Sequence, residues 1–397
     1  MVGWHADPAM PGPNSAAAPS VGKAAPCIEM VVIQPTPFCN IACTYCYLPH
    51  RNARGVMAQD TVQRAFAEIF ASGFASPELT VLWHAGEPLV VPVEFYRTAF
   101  AAIEALRPLH VHVTHSFQTN GMLLSDAWCD LIRDWGVGVG VSVDGPRHLH
   151  DAHRVTRAGR GTFDGTMAGI RLLQKRGIPF HALSVLSTPS LGAARELHDF
   201  YVAEGIEQVC FNVEESEGEH VSELFGRSDT YHRFRAFLEE FWHLSRSRQQ
   251  IRFVREIDGM VPRIFRPADL PMRNPQVEPL ALLNIDHTGR VSTFSPELLG
   301  HENAEYGDFI IGDINRDSLA SILDACLRSP MLRDIAAGVE RCRRECEYFS
   351  VCGGGAPVNK LSEEGCFDAG RTTFCTLTQI APTDVILAGL DRLEAAR

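Results

Sequence analysis

Three cysteines lie within eight residues near the start of the chain. They are Cys39, Cys43 and Cys46, in the run Cys-Asn-Ile-Ala-Cys-Thr-Tyr-Cys. Three thiolates leave one iron of a 4Fe-4S cluster without a protein ligand, much as an open position marks a catalytic zinc site. Such an iron can bind a small molecule and pass one electron to it. The spacing therefore predicts a catalytic iron-sulfur centre; zinc or three buried structural cysteines are the alternatives.

A second cysteine group lies near the C-terminus. Cys342, Cys346 and Cys352 are followed by three glycines, and Cys375 comes further on. Four thiolates would close a metal site completely, so the predicted role is structural or electron-transferring. An iron-sulfur cluster is favoured over tetrahedral zinc, which this spacing also permits. Cys366 is an alternative fourth ligand.

The elements that must position these cysteines follow an α/β pattern. Short β-branched runs alternate with amphipathic helical stretches, which predicts repeated strand-helix units around a parallel sheet. In a barrel of this type, chemistry takes place at the carboxyl ends of the strands. The predicted strands are residues 28–34, 78–84, 110–117, 137–143, 179–185 and 208–213.

Polar and small residues follow three of these strands. They form the runs His-Ala-Gly-Glu-Pro at 84–88, Gln-Thr-Asn-Gly at 118–121 and Ser-Val-Asp-Gly-Pro at 142–146, with His-Asp-x-x-Arg at 150–154. Amide and hydroxyl groups there suit hydrogen bonds to a small ligand, and a guanidinium can grip a carboxylate in a forked geometry. The candidate contacts are Ala85, Gly86, Glu87, Gln118, Asn120, Ser142 and Arg154.

The first cysteine spacing, with these runs in order, resembles the radical S-adenosylmethionine (SAM) superfamily over residues 28–215. The resemblance implies a partial (β/α)6 barrel of the TIM type and cleavage of SAM to methionine and a 5′-deoxyadenosyl radical. It implies that Tyr45, before the third cysteine, lies near the adenine. The candidate contacts at the strand ends would then bind SAM. Ala85 stands where the family's Gly-Gly-Glu-Pro element has its first glycine.

The later motifs narrow the resemblance. The runs at 118–121, 142–146 and 150–154 resemble the branch that includes anaerobic sulfatase maturases and peptide-modifying enzymes, which implies a polypeptide substrate. The second cysteine group resembles the C-terminal half of a SPASM domain, which carries auxiliary iron-sulfur clusters. No cysteine occurs in the stretch LLNIDHTGRVSTFSPELLG upstream of it. We therefore expect one auxiliary 4Fe-4S cluster rather than two.

Several C-terminal tracts, among them YGDFIIGDI and CGGGAPVNK, resemble the cyclophane-forming maturases of the GrrM/OscB group. This implies a ribosomally made precursor peptide in which an aromatic ring carbon is joined to a β-carbon two residues later. A base must take a proton, and Asp286 and Glu297 on a predicted hairpin are the candidates. Flavodoxin or ferredoxin is the implied reductant. The alternatives are sulfatase maturation, thioether formation, and a non-catalytic iron-sulfur sensor or peptide-binding scaffold.

Composition sets the remaining expectations. The net charge of -12 argues against a general grip on nucleic acid, and the sequence lacks a secretory signal or a long apolar run, which predicts a cytoplasmic protein with no membrane partner. Residues 1–26 are rich in Pro, Ala, Gly and Ser and predict a disordered tail. We expect the barrel at 27–215, a helical linker or insert at 216–279, and a separate SPASM-like iron-sulfur module at 280–397.

Overall fold

A computed structural model describes residues 26–216, 220–267 and 269–395. The predicted disordered tail, except for Pro26, lies outside these residues. All six predicted barrel strands are present in one sheet with the order β10-β9-β8-β1-β2-β3-β4-β5-β6-β7. The strands are β1 (Ile28–Ile33), β2 (Ala75–Trp83), β3 (His112–Thr119), β4 (Gly138–Ser142), β5 (His181–Leu186), β6 (Gln208–Val213), β7 (Phe253–Val254), β8 (Leu282–Ile285), β9 (Arg290–Thr293) and β10 (Gly312–Asp313).

Helices follow the barrel strands and cover the sheet. The helices of the barrel and its flank are α1 (Gln59–Ser72), α2 (Val93–Leu106), α3 (Asp126–Trp135), α4 (Arg147–His153), α5 (Phe163–Lys175), α6 (Ala194–Ala203), α7 (Thr230–Arg248), α8 (Arg255–Asp258) and α9 (Val261–Ile264). Those of the C-terminal part are α10 (Leu319–Arg328), α11 (Pro330–Glu345), α12 (Phe349–Cys352), α13 (Pro357–Glu364), α14 (Thr373–Cys375) and α15 (Ala381–Ala395), with a π-helical turn at Thr376–Ile380 between the last two.

The barrel core forms because β1 and β4 are apolar on both faces while the helices carry one apolar stripe. All of β4 is buried, and so is all of β1 except the half-buried Met30. Parallel strands covered by helices on the outside show this near-continuous burial. All pairs from β1 to β7 are parallel, so their carboxyl ends, and the residues that follow them, meet at one edge.

The C-terminal part does not begin as a separate module. Strand β8 pairs in parallel with β1, with Val32 opposite Asn284, and β9 and β10 extend the same sheet in antiparallel pairs. The sheet therefore crosses the boundary that the sequence predicts at residue 280. The predicted hairpin is present at 282–293. Its strand β8 also forms hydrogen bonds with the edge of β1, because the backbone N–H and C=O groups along an unpaired strand edge need partners.

One helix is apolar enough to raise the question of a membrane. By length and composition alone, Thr373–Arg392 could cross a bilayer, with a mean hydropathy of 1.2. A helix packed in a protein core meets the same criteria. This helix is partly covered by the protein, and its Asp384 carboxylate accepts hydrogen bonds from the hydroxyls of Tyr231 and Tyr348.

Candidate active site

The first cysteine loop follows β1 directly and is fixed to the segment after α4. The backbone N–H of Ala42 donates to the carbonyl of Val155 at 2.7 Å, and that of Thr44 donates to His153 at 3.0 Å. The Arg157 guanidinium donates to the carbonyl of Cys39, with its Nε at 3.1 Å. Two segments more than 100 residues apart thus hold the loop in place.

The thiols of this loop are close enough to influence one another. Burial raises the pKa of Cys39 to about 12 and that of Cys43 to about 11, and the negative charge of neighbouring cysteines contributes to both shifts. Within the described part of the chain, no three His, Cys, Asp or Glu side chains are gathered around one point as for a single metal ion. A 4Fe-4S cluster binds each thiolate to a different iron, so its cysteines stand further apart. Three thiols that influence one another without meeting at a single point fit such a cluster.

The turn after β2 packs against the approach to this loop. Ala85 and Gly86 both lie in the left-handed region, with φ of 65° and 77°. A Cβ at Gly86 would lie 2.3 Å from the carbonyl oxygen of Thr36, so only glycine fits there. Ala85 carries a conformational cost of about 1 kcal/mol that a glycine would avoid. The backbone shape of a glycine pair is therefore kept even though the first residue is alanine.

Glu87, one of the candidate SAM contacts, is hydrogen-bonded within the protein. Its buried carboxylate accepts hydrogen bonds from the Thr119 hydroxyl at 2.6 Å and from the backbone N–H groups of Asn120 and Leu89 at 2.8 and 3.0 Å. Burial raises the pKa of Glu87 to about 7, against the lowering effect of these donors. Glu87 therefore joins the end of β2 to the end of β3 and fixes both edges of the site.

Replacing Glu87 with glutamine should cost about 1–3 kcal/mol of unfolding free energy, because an amide NH2 would face one of the three donors. The pH dependence should change too. The native carboxyl keeps its proton up to pH of about 7, whereas the ordinary value is 4.5. Its stabilising contribution is thus complete below 4.5 and is lost as the pH rises through 7.

The check is denaturant unfolding of cluster-free wild type and Glu87→Gln across this pH range. The stability difference between them should widen toward low pH. A difference that stays constant with pH would contradict the raised pKa. Glu94→Gln, on the exposed first turn of α2, is the matched control and should leave stability and its pH dependence unchanged.

Amide and hydroxyl side chains project from the ends of β3 and β4, as predicted. Gln118 Nε2 donates to Ser142 Oγ at 3.0 Å, across Gly140, where a Cβ would strike the Gln118 side chain. Asn120 Nδ2 donates to Asn40 Oδ1 at 2.7 Å and lies 3.9 Å from Cys39 Sγ. The structure brings Gln118, Asn120 and Ser142 to the same end of the sheet as the cysteine loop.

Arg154 and Tyr45 meet at Asp144, which the candidate contacts above do not include. The fork of Arg154 grips the two oxygens of Asp144, with Nε and Nη2 at 3.0 and 3.1 Å. The Tyr45 hydroxyl donates to the same carboxylate, and the Arg154 guanidinium lies 5.4 Å from the Tyr45 ring centre. The Arg154 guanidinium, which the sequence predicts to bind a ligand carboxylate, is thus bound to the Asp144 carboxylate in this structure. The sequence contains an indication of this ion pair, because the aspartate of the Ser-x-Asp-Gly run lies ten residues before Arg154.

His84, at the end of β2, is a further neutral side chain at this edge. Burial lowers its pKa to about 4, and its Nε2 lies 3.4 Å from the Tyr47 hydroxyl. Its Nδ1 has no hydrogen-bond partner among the described residues. A neutral imidazole next to the cysteine loop can accept or donate a hydrogen bond without adding charge.

A cavity of about 1070 Å³ connects the cysteine loop with the C-terminal part. It is lined by Cys46 and Arg51 of the loop region and by Glu297 and His301 of the C-terminal part. Further lining residues are Ser216, His220 and Val221 and, on α13, Val358, Leu361 and Ser362. A space of this size can hold several residues of a peptide.

The two predicted bases differ in their relation to this cavity. Glu297 lines it, accepts a hydrogen bond from the Ser295 hydroxyl, and has its pKa raised by burial. Asp286 lies in the tight turn between β8 and β9, where its Oδ1 accepts from Thr288 N, Thr288 Oγ1 and Arg290 N. Asp286 is not among the cavity-lining residues. Asp286 thus organises the turn, and of the two predicted bases Glu297 is the one that lines the cavity.

The second cysteine group forms around the end of α11. Cys342 is in its last turn, Cys346 caps it, and Cys352 ends α12 before Gly353, Gly354 and Gly355, all with positive φ. Donors point at the sulfurs: Gly354 N lies 3.5 Å from Cys352 Sγ, and Thr372 N lies 3.2 Å from Cys375 Sγ. Donors of this kind stabilise thiolates that bind a metal cluster.

Cys375 fits the fourth position better than Cys366. Burial raises the pKa of Cys375, and the charges of Cys342 and Cys346 contribute. The pKa of Cys366 is raised by Asp368, through a hydrogen bond and its charge, and by burial, with no cysteine among the causes. Cys352 is likewise influenced by Cys375 and Cys342 after burial. Cys375, and not Cys366, is thus within electrostatic range of the other cysteines of this group.

Sequence comparison identifies a family and relatives to which this chain is similar. A family model described as the Radical SAM superfamily matches residues 33–200. The chain is 40% identical over 367 residues to an uncharacterized protein of Synechocystis sp., covering 91% of this chain and 92% of that protein. It is 28% identical over 331 residues to the serine-type anaerobic sulfatase-maturating enzyme of Klebsiella aerogenes, covering 81% of this chain and 78% of that enzyme.

Solved structures share the fold. Native anSMEcpe with bound AdoMet has a TM-score of 0.73 and 18% identity, over 92% of this chain and 99% of that one. Streptococcus suis SuiB bound to the precursor peptide SuiA has a TM-score of 0.59 and 15% identity, over 88% of this chain and 76% of that one. At this identity the likeness concerns the architecture, which extends across the barrel and most of the C-terminal part.

Proposed function

Because the chain belongs to the radical SAM superfamily, we propose that it modifies a ribosomally made precursor peptide by joining an aromatic ring carbon to a β-carbon in a three-residue cyclophane. The observation that carries this proposal is the cavity of about 1070 Å³ that is lined by both Cys46 and Glu297. A peptide there would lie next to both the predicted radical source and a side chain able to take its proton.

We assign cluster and SAM binding to the end of the cavity that the first cysteine loop lines. Cys39, Cys43 and Cys46 would hold a 4Fe-4S cluster with one open iron, and SAM bound to it would supply a 5′-deoxyadenosyl radical and methionine. The backbone carbonyl groups at Ala85 and Gly86 would accept hydrogen bonds from the methionine ammonium. Gln118, Asn120 and Ser142 would form hydrogen bonds with the other polar groups of SAM. Tyr45 would pack near the adenine. Glu87 and Arg154 would act as positioning residues, since Glu87 already accepts from Thr119 and two backbone N–H groups and Arg154 already grips Asp144.

The peptide end is assigned to Glu297. After a β-hydrogen has been abstracted and the peptide radical has added to the nearby ring, the peptide must lose one electron and one proton to restore aromaticity. Glu297 would take the proton. Burial raises its pKa, so it can hold that proton at a higher pH than an exposed glutamate.

The electron is assigned to the second cysteine group, which would carry one auxiliary 4Fe-4S cluster on Cys342, Cys346, Cys352 and Cys375. Helix α13 connects this site to the cavity: Val358 and Leu361 line the cavity, and Lys360 Nζ lies 3.4 Å from Cys342 Sγ. A helix with its side chains is about 10–12 Å across. The peptide radical and its electron acceptor would then be about one helix apart.

The proposal includes a reductant and a location. Flavodoxin or ferredoxin would reduce the first cluster before each cleavage, and the protein would work in the cytoplasm without a membrane or nucleic-acid partner. The net charge of -12 supports the absence of a general grip on phosphates.

Sulfatase maturation is the second candidate, supported by the 28% identity to the Klebsiella aerogenes enzyme over most of both chains. It would oxidise a serine or cysteine side chain to formylglycine. Thioether formation is a further candidate within the same class of enzyme. A non-catalytic sensor would not use a three-thiolate site that leaves an iron open.

The test is anaerobic reconstitution followed by incubation with SAM, reductant and a small glycine-rich precursor encoded beside the gene. We expect about eight irons per chain, 5′-deoxyadenosine, and a peptide lighter by two hydrogens for each cross-link. Because a serine-derived formylglycine has the same mass loss, the product is also treated with a hydrazine reagent. A cyclophane does not react and suppresses fragmentation inside the ring.

Two outcomes would overturn the proposal. A hydrazone would identify formylglycine formation instead. No 5′-deoxyadenosine with only about four irons would point to a binding or sensing role. The matched control is a precursor in which the aromatic residue is replaced by leucine, which should be recovered unchanged.

A further inference from the structure

The amino group of Lys360 is buried next to a cysteine of the second group. Lys360, on α13, is 3% exposed, and its Nζ donates to Cys342 Sγ at 3.4 Å. Among the described residues, no carboxylate forms an ion pair with it. A buried ammonium without a counter-ion is costly, because the low-dielectric interior stabilises charge poorly. A strongly negative neighbour would offset that cost.

The protein makes room for this ammonium. Gly338 lies four residues before Cys342 on α11, so both are on one face of the helix. A Cβ at Gly338 would lie 3.0 Å from Lys360 Nζ and 2.3 Å from the carbonyl oxygen of Phe367. The missing side chain therefore forms a notch through which Lys360 passes to reach the sulfur.

The choice of lysine is itself informative. The chain has three lysines, against 36 lysines and arginines together, and one of the three is at this position. A lysine carries a compact point charge, whereas the wider arginine fork suits a planar carboxylate. A single sulfur acceptor suits this point charge.

We infer that Lys360 is a positioning residue of the auxiliary cluster, whose positive charge favours the reduced form and so makes the cluster a better acceptor of the peptide's electron. The inference rests on the proposed second cluster. Four thiolates give such a cluster a net charge of about -2, and reduction adds one more negative charge. A cation held next to one ligand sulfur is attracted more strongly to the reduced form.

The first cysteine loop offers a contrast. Arg154 Nη1 lies 4.0 Å from Cys43 Sγ and is held by Asp144 in a forked ion pair, while Arg51 and Arg157 donate to the backbone carbonyls of Cys43 and Cys39. The cations of that loop thus bind a carboxylate or backbone oxygens, whereas Lys360 donates to a cysteine sulfur at 3.4 Å. One electron would leave the peptide radical for this cluster, and the accompanying proton would go to Glu297.

The test is a redox titration of the second cluster, followed by electron paramagnetic resonance, in reconstituted wild type, Lys360→Met and Lys360→Arg. Each is measured in the full chain and in a Cys43→Ala background that isolates the second cluster. In Lys360→Met, the ratio of reduced to oxidised cluster at a fixed potential should fall about tenfold, which corresponds to about 59 mV for one electron. Lys360→Arg should stay nearer wild type. Lys175→Met, at the exposed end of α5, is the control and should change nothing.

The possible outcomes test the role of Lys360 and the existence of the second cluster separately. An intact second cluster with the same potential in Lys360→Met as in wild type would overturn the role of Lys360. Loss of the cluster in Lys360→Met but not in Lys360→Arg would support the charge, and loss in both would assign Lys360 to packing and overturn it. A wild type with only about four irons would overturn the second cluster, and this inference with it.

Discussion

Replacing Cys43 with alanine should abolish 5′-deoxyadenosine formation and remove about four of about eight irons per chain. A cluster held by three thiolates loses one of its three protein bonds in this variant. Cys43 is buried and lies in the part of the loop fixed by Ala42 to the carbonyl of Val155, so no neighbouring thiol can move in without breaking that backbone bond. Iron analysis and chromatography of SAM products measure both effects.

Three further cysteine variants make the result specific. Cys129→Ala, at an isolated buried cysteine of α3, should keep its irons and its SAM cleavage. Cys375→Ala should lose the other half of the iron but still produce 5′-deoxyadenosine. Retention of cleavage in the Cys43→Ala protein would refute the assignment of the first loop. Equal iron loss in Cys375→Ala and Cys366→Ala would refute the choice of the fourth auxiliary ligand.

Glu297→Gln should lower the rate of peptide cross-linking by about 100-fold or more while 5′-deoxyadenosine is still formed. A positioned general base contributes at least this factor, and the amide cannot accept the proton. The substitution keeps the shape of the side chain and the oxygen that faces Ser295. Mass spectrometry of the peptide and quantification of 5′-deoxyadenosine in the same reaction separate the two steps.

The wild-type enzyme should also show the corresponding pH dependence. Burial raises the pKa of Glu297 above its usual value of 4.5, so the basic form is lost as the pH falls through that raised pKa. Cross-links formed per 5′-deoxyadenosine should therefore decline on the acidic side, at a higher pH than for an exposed glutamate. In the Glu297→Gln protein this ratio should be low and independent of pH.

Glu302→Gln is the matched control, because Glu302 lines the same cavity and loses the same charge. It should cross-link at nearly the wild-type rate. Asp286→Asn should affect stability more than chemistry, since Asp286 Oδ1 accepts three hydrogen bonds within its turn. Equal loss of cross-linking in Glu297→Gln and Glu302→Gln would assign the effect to cavity charge and remove Glu297 as the base.

Much of the fold follows from patterns that involve only neighbours in the chain. The six barrel strands and the helices from Gln59 and Val93 occur where alternating and 3.6-residue apolar patterns predict them. Apolar periodicity is a local property, because it reflects which face of one element must avoid water. The cysteine spacings are local as well, since Cys39 to Cys46 and Cys342 to Cys352 each occupy a short stretch of the chain.

What the sequence alone determined is thus the class of fold, the two cysteine groups and the polar strand ends. The tertiary structure decided which long-range partners these groups have: Asp144 for Arg154, the strand β1 for the C-terminal hairpin, a turn for Asp286, the cavity for Glu297, and Cys342 for Lys360. The physical reason is that a carboxylate or an ammonium can satisfy its charge with many partners. Only the packing of segments distant in sequence selects one of them.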